Sequence, residues 1–339
     1  ANSCTAAPSA RASDGGHINL SSVTEIFTES STDFAFFLTT GGTMDLSGLQ
    51  TAVDTMFTMD ESTGLDLPSL TMLDACVVMV AEGGSFSADN LTSVNATNLS
   101  LRNVGGSVTL AGLETITESS IAVLNGNTWE LPSLTTLQNT TVSVEDGATF
   151  SAPQLNTFVA VSSLATSLQV FGTGQFTAPL LADITSLRFL LFSGAQVSLP
   201  SVVNILRDVC SSGPIFEING IGSSLELSNA ETLTINALDC AAGPTFIANS
   251  GTLLDLSGLQ TITLTGSNRI NLTASGADAV LDISSLSDFN INAVTISEID
   301  GGQVLQMMGG EGEGEGEGEG EGEGEGEGEG EMCPDSSPD

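Results

Sequence analysis

The sequence predicts an all-β chain: a right-handed parallel β-helix, that is, a β-solenoid of about 12 coils, followed by a Gly/Glu-repeat C-terminal tail. Three observations predict it. A short apolar code repeats in fixed register from Ile18 to Phe289, the composition is rich in Ser, Thr, Asn, Gly, Leu, Val and Ile, and Gly and Glu alternate strictly from Gly310 to Glu331. Such a composition favours strands and turns over helices. Length decides nothing, because 339 residues suit two average domains or one elongated repeat.

The repeat is legible as GLDLPSLTML, which recurs as GSFSADNLTSV, GSVTLAGLETI, NTWELPSLTTL and ATFSAPQLNTF and continues to AVLDISSLSDF. Each copy is apolar at offsets 0, 2, 5 and 8. Offset 0 is filled in turn by Ile18, Met44, Leu65, Phe86, Val108, Trp129, Phe150, Phe176, Val197, Leu225, Leu254 and Leu281. Offset 5 includes Leu70, Leu91, Leu113, Leu134, Leu155 and Leu181. Successive rungs lie 21 to 29 residues apart, so the rung is fixed while one connecting segment varies, as a solenoid permits by growing loops on one face.

Within a rung, offsets 0 and 2 alternate as a strand does, and Pro-Ser, Ser-Gly or Asp-Asn then turns the chain. A second alternating pair precedes several rungs, such as Val78 and Val80 or Val142 and Val144. Each coil therefore offers about three short strands, and stacked coils place like residues in inward ladders about 4.8 Å apart. A leucine-rich repeat is the chief rival in repeat length. It wants LxxLxLxxN, whereas the order here is LxLxxLxxL with no Asn ladder, and the connecting segments lack helix formers.

The GxLxLPSLTxL pattern resembles the coils of receptor L-domain-type β-helices, found in receptor ectodomains and fungal wall glycoproteins, and the β-helix repeats of bacterial surface proteins. The resemblance covers Ile18 to Phe289 and is mostly a hydrophobic code. It implies a fold, and brings no catalytic residues with it. The disulfide-rich modules of the receptor versions are missing.

Three segments are expected: a polar N-terminal arm over 1–16, the solenoid over 17–309, and an acidic GE-repeat tail over 310–339 that carries a terminal Cys. Alone in water the tail cannot bury enough apolar area to offset its ordering entropy, which suits a flexible spacer, whereas its strict alternation puts every Gly on one face of an extended strand, which suits a tether laid flush against the backbone of a neighbouring subunit. The formal net charge is -37, Lys is absent, and the five Arg are scattered. Nucleic acid is excluded as a default partner, since phosphate binding needs clustered cations. No run of eighteen apolar residues exists to span a bilayer. The start, ANSCTAAPSA, reads like a chain after signal-peptide removal, and five cysteines without metal-ligand spacing favour an oxidising compartment. A secreted or cell-surface location is expected.

Cys210, in CSSGPIF, and Cys240, in CAAGPTF, stand in matching contexts of successive coils, where equivalent positions are about 5 Å apart, and are expected to form an intrachain disulfide. Cys4 and Cys333 lie outside the repeats and are expected to link neighbouring subunits. Cys76 reads as a buried core thiol.

No catalytic, cofactor-binding or metal-ligating constellation is found. His17 is the one histidine, no GxSxG elbow is present, and acidic residues are too plentiful for their spacing to single out a glycosidase pair. Trp129, Phe86, Phe150 and Phe176 read as core ladder rather than sugar platforms. Sequons at Asn19, Asn90, Asn95, Asn98, Asn139 and Asn271 offer glycan attachment. The Glu run suits diffuse divalent-cation binding, since a flexible polyanion lacks the preorganised oxygens of a calcium site. No sustained Thr-x-Thr column of the kind that suits ice is apparent.

Solenoids need polar caps, and no amphipathic capping helix is visible at either end. Uncapped ends stack head to tail. The leading expectation is thus a non-enzymatic subunit of an extracellular filament, matrix or surface layer, a homopolymer with the tail tethering a neighbour. The alternative is a surface-displayed adhesin or glycan-binding module in which the tail is a spacer.

Overall fold

A single coil shows why this sequence folds as it does. Strand β10 (Val77–Val80) turns Val78 and Val80 inward and leaves Val77 and Met79 outward. A tight turn at Glu82 and Gly83 leads into β11 (Ser85–Ser87), where Phe86 points in between two serines. A second turn, closed by Leu91 N–H donating to Ala88 C=O at 3.1 Å, leads to β12 (Ser93–Asn95), where Val94 points in. One circuit of three strands encloses an apolar centre, and the next coil repeats it one strand spacing along.

The computed structural model describes residues 9–27, 34–60, 62–161, 166–208, 214–236, 244–265 and 269–306. All 37 elements among them are strands, β1 (Ser9–Ala12) to β37 (Gln303–Gln306), so the helix a leucine-rich repeat would need is absent from the described residues. The strands stack in parallel on three sides. The first side is one 13-stranded sheet from β1 to β36 (Val294–Ile299). The second is divided into sheets of 2, 3, 3 and 5 strands, and the third into sheets of 7 and 4 joined by isolated bridges at Asp183. The result is a β-solenoid of about 12 turns with a partial last coil that supplies only the first two sides.

Register follows the repeat code. Leu65 pairs with Phe86 and Phe86 with Val108, and Trp129 pairs with Phe150 and Phe150 with Phe176. Leu70, Leu91, Leu113, Leu134, Leu155 and Leu181 are all buried at 0 % exposure, as the core of a stack demands. Val108 departs from the column: it is half-buried, because the second side breaks between β14 (Ser107–Thr109) and β17 (Thr128–Glu130), opening a cleft of about 440 Å³. Trp129 lies just past this break.

Two turns recur at the same places along the stack. The first is in many coils a type I′ turn with both central residues at positive φ, as at Asp14-Gly15, Asn125-Gly126 and Asp146-Gly147, the Asn-Gly and Asp-Gly chemistry such turns require, while at Gly172-Thr173, Ile221-Gly222, Ser250-Gly251 and Ala277-Asp278 one central residue alone has positive φ. The residue after it must be small. A Cβ on Gly174 would stand 2.6 Å from Val144 O, and Ala, Ser, Thr or Asn fill this place in other coils. The second turn is the Leu-Pro-Ser-Leu corner.

The variable segment is the third corner. In short coils it is a single non-glycine residue at positive φ, such as Ala75, Ala96 or Glu118. In long coils the insertions 28–33, 162–165, 209–213, 237–243 and 266–268 all fall at this corner, outside the described residues.

The stack begins before residue 17, which corrects the expected extent of the N-terminal arm. Strand β1 pairs Ala10 with Phe36 and Ala12 with Leu38, so the inward alternation of the first side already runs through Ala10 and Ala12, whose small side chains gave little hydrophobic signal. At the other end the chain divides between Met307 and Met308, and residues beyond Gln306 lie outside the described set.

Candidate functional surfaces

A solenoid places every outward residue on one of a few straight columns, so surface chemistry is read column by column. On the third side the columns are rich in hydroxyls. Thr115 pairs with Thr136 and Thr136 with Thr157, and further along Thr232 pairs with Thr261. The neighbouring column carries Thr117, Thr234 and Thr263, so Thr-x-Thr occurs on three strands, and it is interrupted by Asp74, Asn95 and Gln138. Side chains on this face bond along the stack: Asn95 Nδ2 donates to Asp74 Oδ1 at 2.7 Å, Thr117 Oγ1 to Asn95 Oδ1 at 2.7 Å, and Thr232 Oγ1 to Asn204 Oδ1 at 2.6 Å. The face is a register-locked array of hydroxyls and amides.

On the second side Glu226, Asp255 and Asp282 follow one another in register. Two of these carboxylates cap their own turns, accepting N–H bonds from Ser257 and Ser284 at 2.9 Å. Among the described residues no group of three or more His, Cys, Asp or Glu side chains is placed to hold a metal. His17, on β2 (His17–Asn19), sits exposed with Nδ1 2.9 Å from Thr43 Oγ1. The Asp45 carboxyl nearby is held below its ordinary value, first by the Ser47 backbone N–H, then by the Ser47 hydroxyl, with His17 a lesser influence.

A buried hydroxyl ladder, which sequence reasoning missed, lines the third corner. Thr97 Oγ1 accepts the Cys76 N–H at 3.1 Å and donates to Asn95 O at 2.7 Å. Ser119 Oγ accepts the Thr97 N–H at 3.0 Å and donates to Thr117 O at 2.6 Å. Thr140 continues the column. Each hydroxyl thus satisfies one backbone group of the coil before it and one of its own. Cys76 occupies a place in this ladder, its Sγ donating toward Asp74 O at 3.2 Å or Ala52 O at 3.3 Å, and its buried thiol is a polar rung. Burial pushes the thiol up to about 11, against the opposing pull of backbone hydrogen bonds at Thr55 and Asp74. In the sequence the ladder corresponds to a small residue with a hydroxyl or thiol after the third-corner residue, at Thr55, Cys76, Thr97, Ser119 and Thr140, and it ends where Leu187 follows Ser186.

Two guanidiniums stand apart in this acidic chain. Arg207 is 5 % exposed and donates to Ser186 O at 3.0 Å, while Arg188 donates to Pro214 O at 3.0 Å. Burial lowers Arg207 to about 10, and repulsion from Arg188 adds to the shift.

The aromatic residues of the second side are inside. Trp129, Phe86, Phe150 and Phe176 are at most 5 % exposed, and Phe150 and Phe176 stack at 5.6 Å. The Trp129 Nε1 is buried without a hydrogen-bond partner. A second stack, Phe171 on Phe192 at 5.1 Å and 13°, sits half-buried on the outer surface of the first side. Each ring gives one of its faces to the other. Of the sequon residues, Asn19, Asn90, Asn95 and Asn98 are exposed, Asn271 is half-buried and Asn139 is buried.

Cys4, Cys210, Cys240 and Cys333 lie outside the described residues. The strands that follow two of them are in register, Phe216 pairing with Phe246, and each cysteine stands six residues before its phenylalanine. No helix among the described residues is long and apolar enough to cross a membrane.

No family model matches the chain, and neither a curated protein nor a solved structure matches it. The resemblance to L-domain and surface-protein coils therefore rests on the repeat code alone.

Proposed function

We propose that this chain is a non-enzymatic structural module of the extracellular space or cell surface, a rigid stack that presents its lateral faces as an adhesin or glycan-binding surface, with the Gly/Glu tail as a spacer. The observation that carries this reading is the third side, where hydroxyls and amides recur in register over runs of neighbouring coils, Thr115, Thr136 and Thr157 in one run and Asn204, Thr232 and Thr261 in another, on a backbone whose register is locked by buried ladders. Such an array meets a polyhydroxylated partner with many weak hydrogen bonds at little ordering cost, because its side chains are short and its backbone is already fixed. Five cysteines without metal-ligand spacing support an oxidising compartment. The tail's Glu run draws divalent cations diffusely.

The test is a polysaccharide co-sedimentation or glycan-array measurement on the full chain. Thr136→Arg and Thr261→Arg, both on the outward column, should abolish binding while leaving the melting temperature within about 2 °C. Binding that survives both substitutions sinks the reading. Removing residues 310–339 should leave binding in solution unchanged.

The filament expected from the sequence is the second reading. The feature that speaks for it is an open concavity of about 400 Å³ at the C-terminal end of the stack, whose apolar lining of Ile291, Val294 and Ile296 is interrupted by Glu298 and Gln306. Negative-stain microscopy separates the two, giving dispersed short particles for lateral display and long fibres one solenoid wide for end stacking.

A further inference from the structure

We propose that Glu298 closes the C-terminal edge of the stack to any further coil, including the first coil of a second copy of this chain. The inward column of the first side runs through Val80, Val144, Leu191, Ala248 and Ala274, all buried. The register partner of Ala274 in the last strand, β36, is Glu298. A carboxylate therefore occupies, at the outermost level, the place that apolar residues hold in the coils beneath.

That carboxylate also occupies the backbone edge. In a parallel ladder, successive N–H groups along one strand point to opposite neighbours. In β37, Gln303 donates its N–H back to Ala279 O at 2.8 Å. The N–H of Val304 consequently points off the end of the stack, where a following coil would have to supply its acceptor. Glu298 supplies it instead: Val304 N–H donates to Glu298 Oε1 at 2.8 Å. An incoming strand would have to break this bond and bury the carboxylate under its own apolar residue. Inward-pointing charge on an edge is one of the devices by which sheets resist edge-to-edge pairing, and a buried charge without a partner is among the costliest groups an interface can contain.

The proposal does not rest on lateral glycan binding, which has its own assay. It limits the end-stacking reading, since a stack with one closed end cannot propagate axially.

The experiment uses the full chain, Glu298→Ala and Glu298→Gln, compared by sedimentation velocity over a concentration series, negative-stain microscopy and amide exchange at Val304. The parent should not grow axially beyond a pair. Glu298→Ala, which restores the residue type of Ala248 and Ala274, should associate end to end roughly a hundredfold more tightly, with Val304 exchanging at least about tenfold faster in the dispersed protein. Glu298→Gln keeps an acceptor for Val304 without the charge, so it should retain slow exchange and associate more tightly than the parent, which preserves the test if the Ala variant folds poorly. Axial fibres of the parent, an unprotected Val304 amide in the parent, or two variants as dispersed as the parent would each overturn the proposal.

Discussion

Replacing Phe150 by Ala probes the central claim that the chain is held by inward ladders with only neighbour-to-neighbour coupling. Phe150 is fully buried, with its ring 6.4 Å from Trp129 in an edge-on contact and 5.6 Å from Phe176 in a parallel stack. A buried Phe→Ala change costs about 3–5 kcal/mol, of which each lost aromatic pair contributes about 0.5–1.5 kcal/mol beyond its area. Two such pairs lie on Phe150, and the adjacent backbones are pinned by parallel pairing on both sides, so the site cannot collapse; we expect about 4 kcal/mol. Phe150→Leu, which keeps most of the volume, should cost about 1.5 kcal/mol. Trp129 is the sole tryptophan and touches the site, so urea unfolding followed by its emission reports this region directly. Because each repeat contacts only its neighbours, amide exchange should accelerate around β17, β20 (Thr149–Ser151) and β23 (Gln175–Thr177) and stay unchanged near Leu281. A loss below about 1 kcal/mol, or equal loss of protection at Leu281, would refute the ladder account.

Further outcomes follow from the same geometry. Cys76→Ser should cost less than about 1 kcal/mol, because a hydroxyl continues the ladder of Thr97 and Ser119, whereas Cys76→Val should cost about 1–3 kcal/mol by stranding backbone groups, as urea midpoints will show. The Cys76 thiol is raised from 9.0 to about 11, so the folded chain keeps a proton that the unfolded chain releases; its contribution to stability is complete below about pH 9 and declines as pH rises through about 11, and alkylation at pH 8 should require unfolding. Gly174→Ala should destabilise by about 1–3 kcal/mol in thermal melts, since the added carbon meets Val144 O, while Ala195→Gly at the equivalent turn position should cost about 1 kcal/mol or less. Trp129→Phe should change stability by no more than about 1 kcal/mol, because lost volume is offset by removal of an unpaired buried N–H, a balance checked by circular dichroism. Peptide mapping under non-reducing conditions should recover Cys210 linked to Cys240, and two alkylatable thiols would remove that pairing.

Part of this organisation could be read directly and part could not. The columns through Phe86, Trp129 and Leu134 were legible because an inward position in a stack tolerates only apolar residues, and one slip would turn them all to water. The hydroxyl ladder through Thr97 and Ser119 was not legible. Ser and Thr are abundant everywhere in the chain, and only the backbone shows which of them point into a corner that needs donors. The first strand was missed for a related reason: Ala10 and Ala12 are too small to stand out among polar neighbours. Glu298 was likewise invisible as a cap, since one Glu in a chain of 42 acidic residues acquires meaning only from its register with Ala274 and its bond to Val304.

The sequence by itself determined the repeat, its inward code, the variable connecting segment and the strand-only character of the described residues, because these follow from period and side-chain type along one strand. Only the tertiary structure decided which hydroxyls form a surface lattice, which polar groups are spent inside, and which side chain takes the outward N–H of Val304. Those properties belong to neighbours one coil apart in space but 21 or more residues apart in the chain, and a backbone hydrogen bond or a buried charge is settled by the coil above and below it, not by the residues beside it.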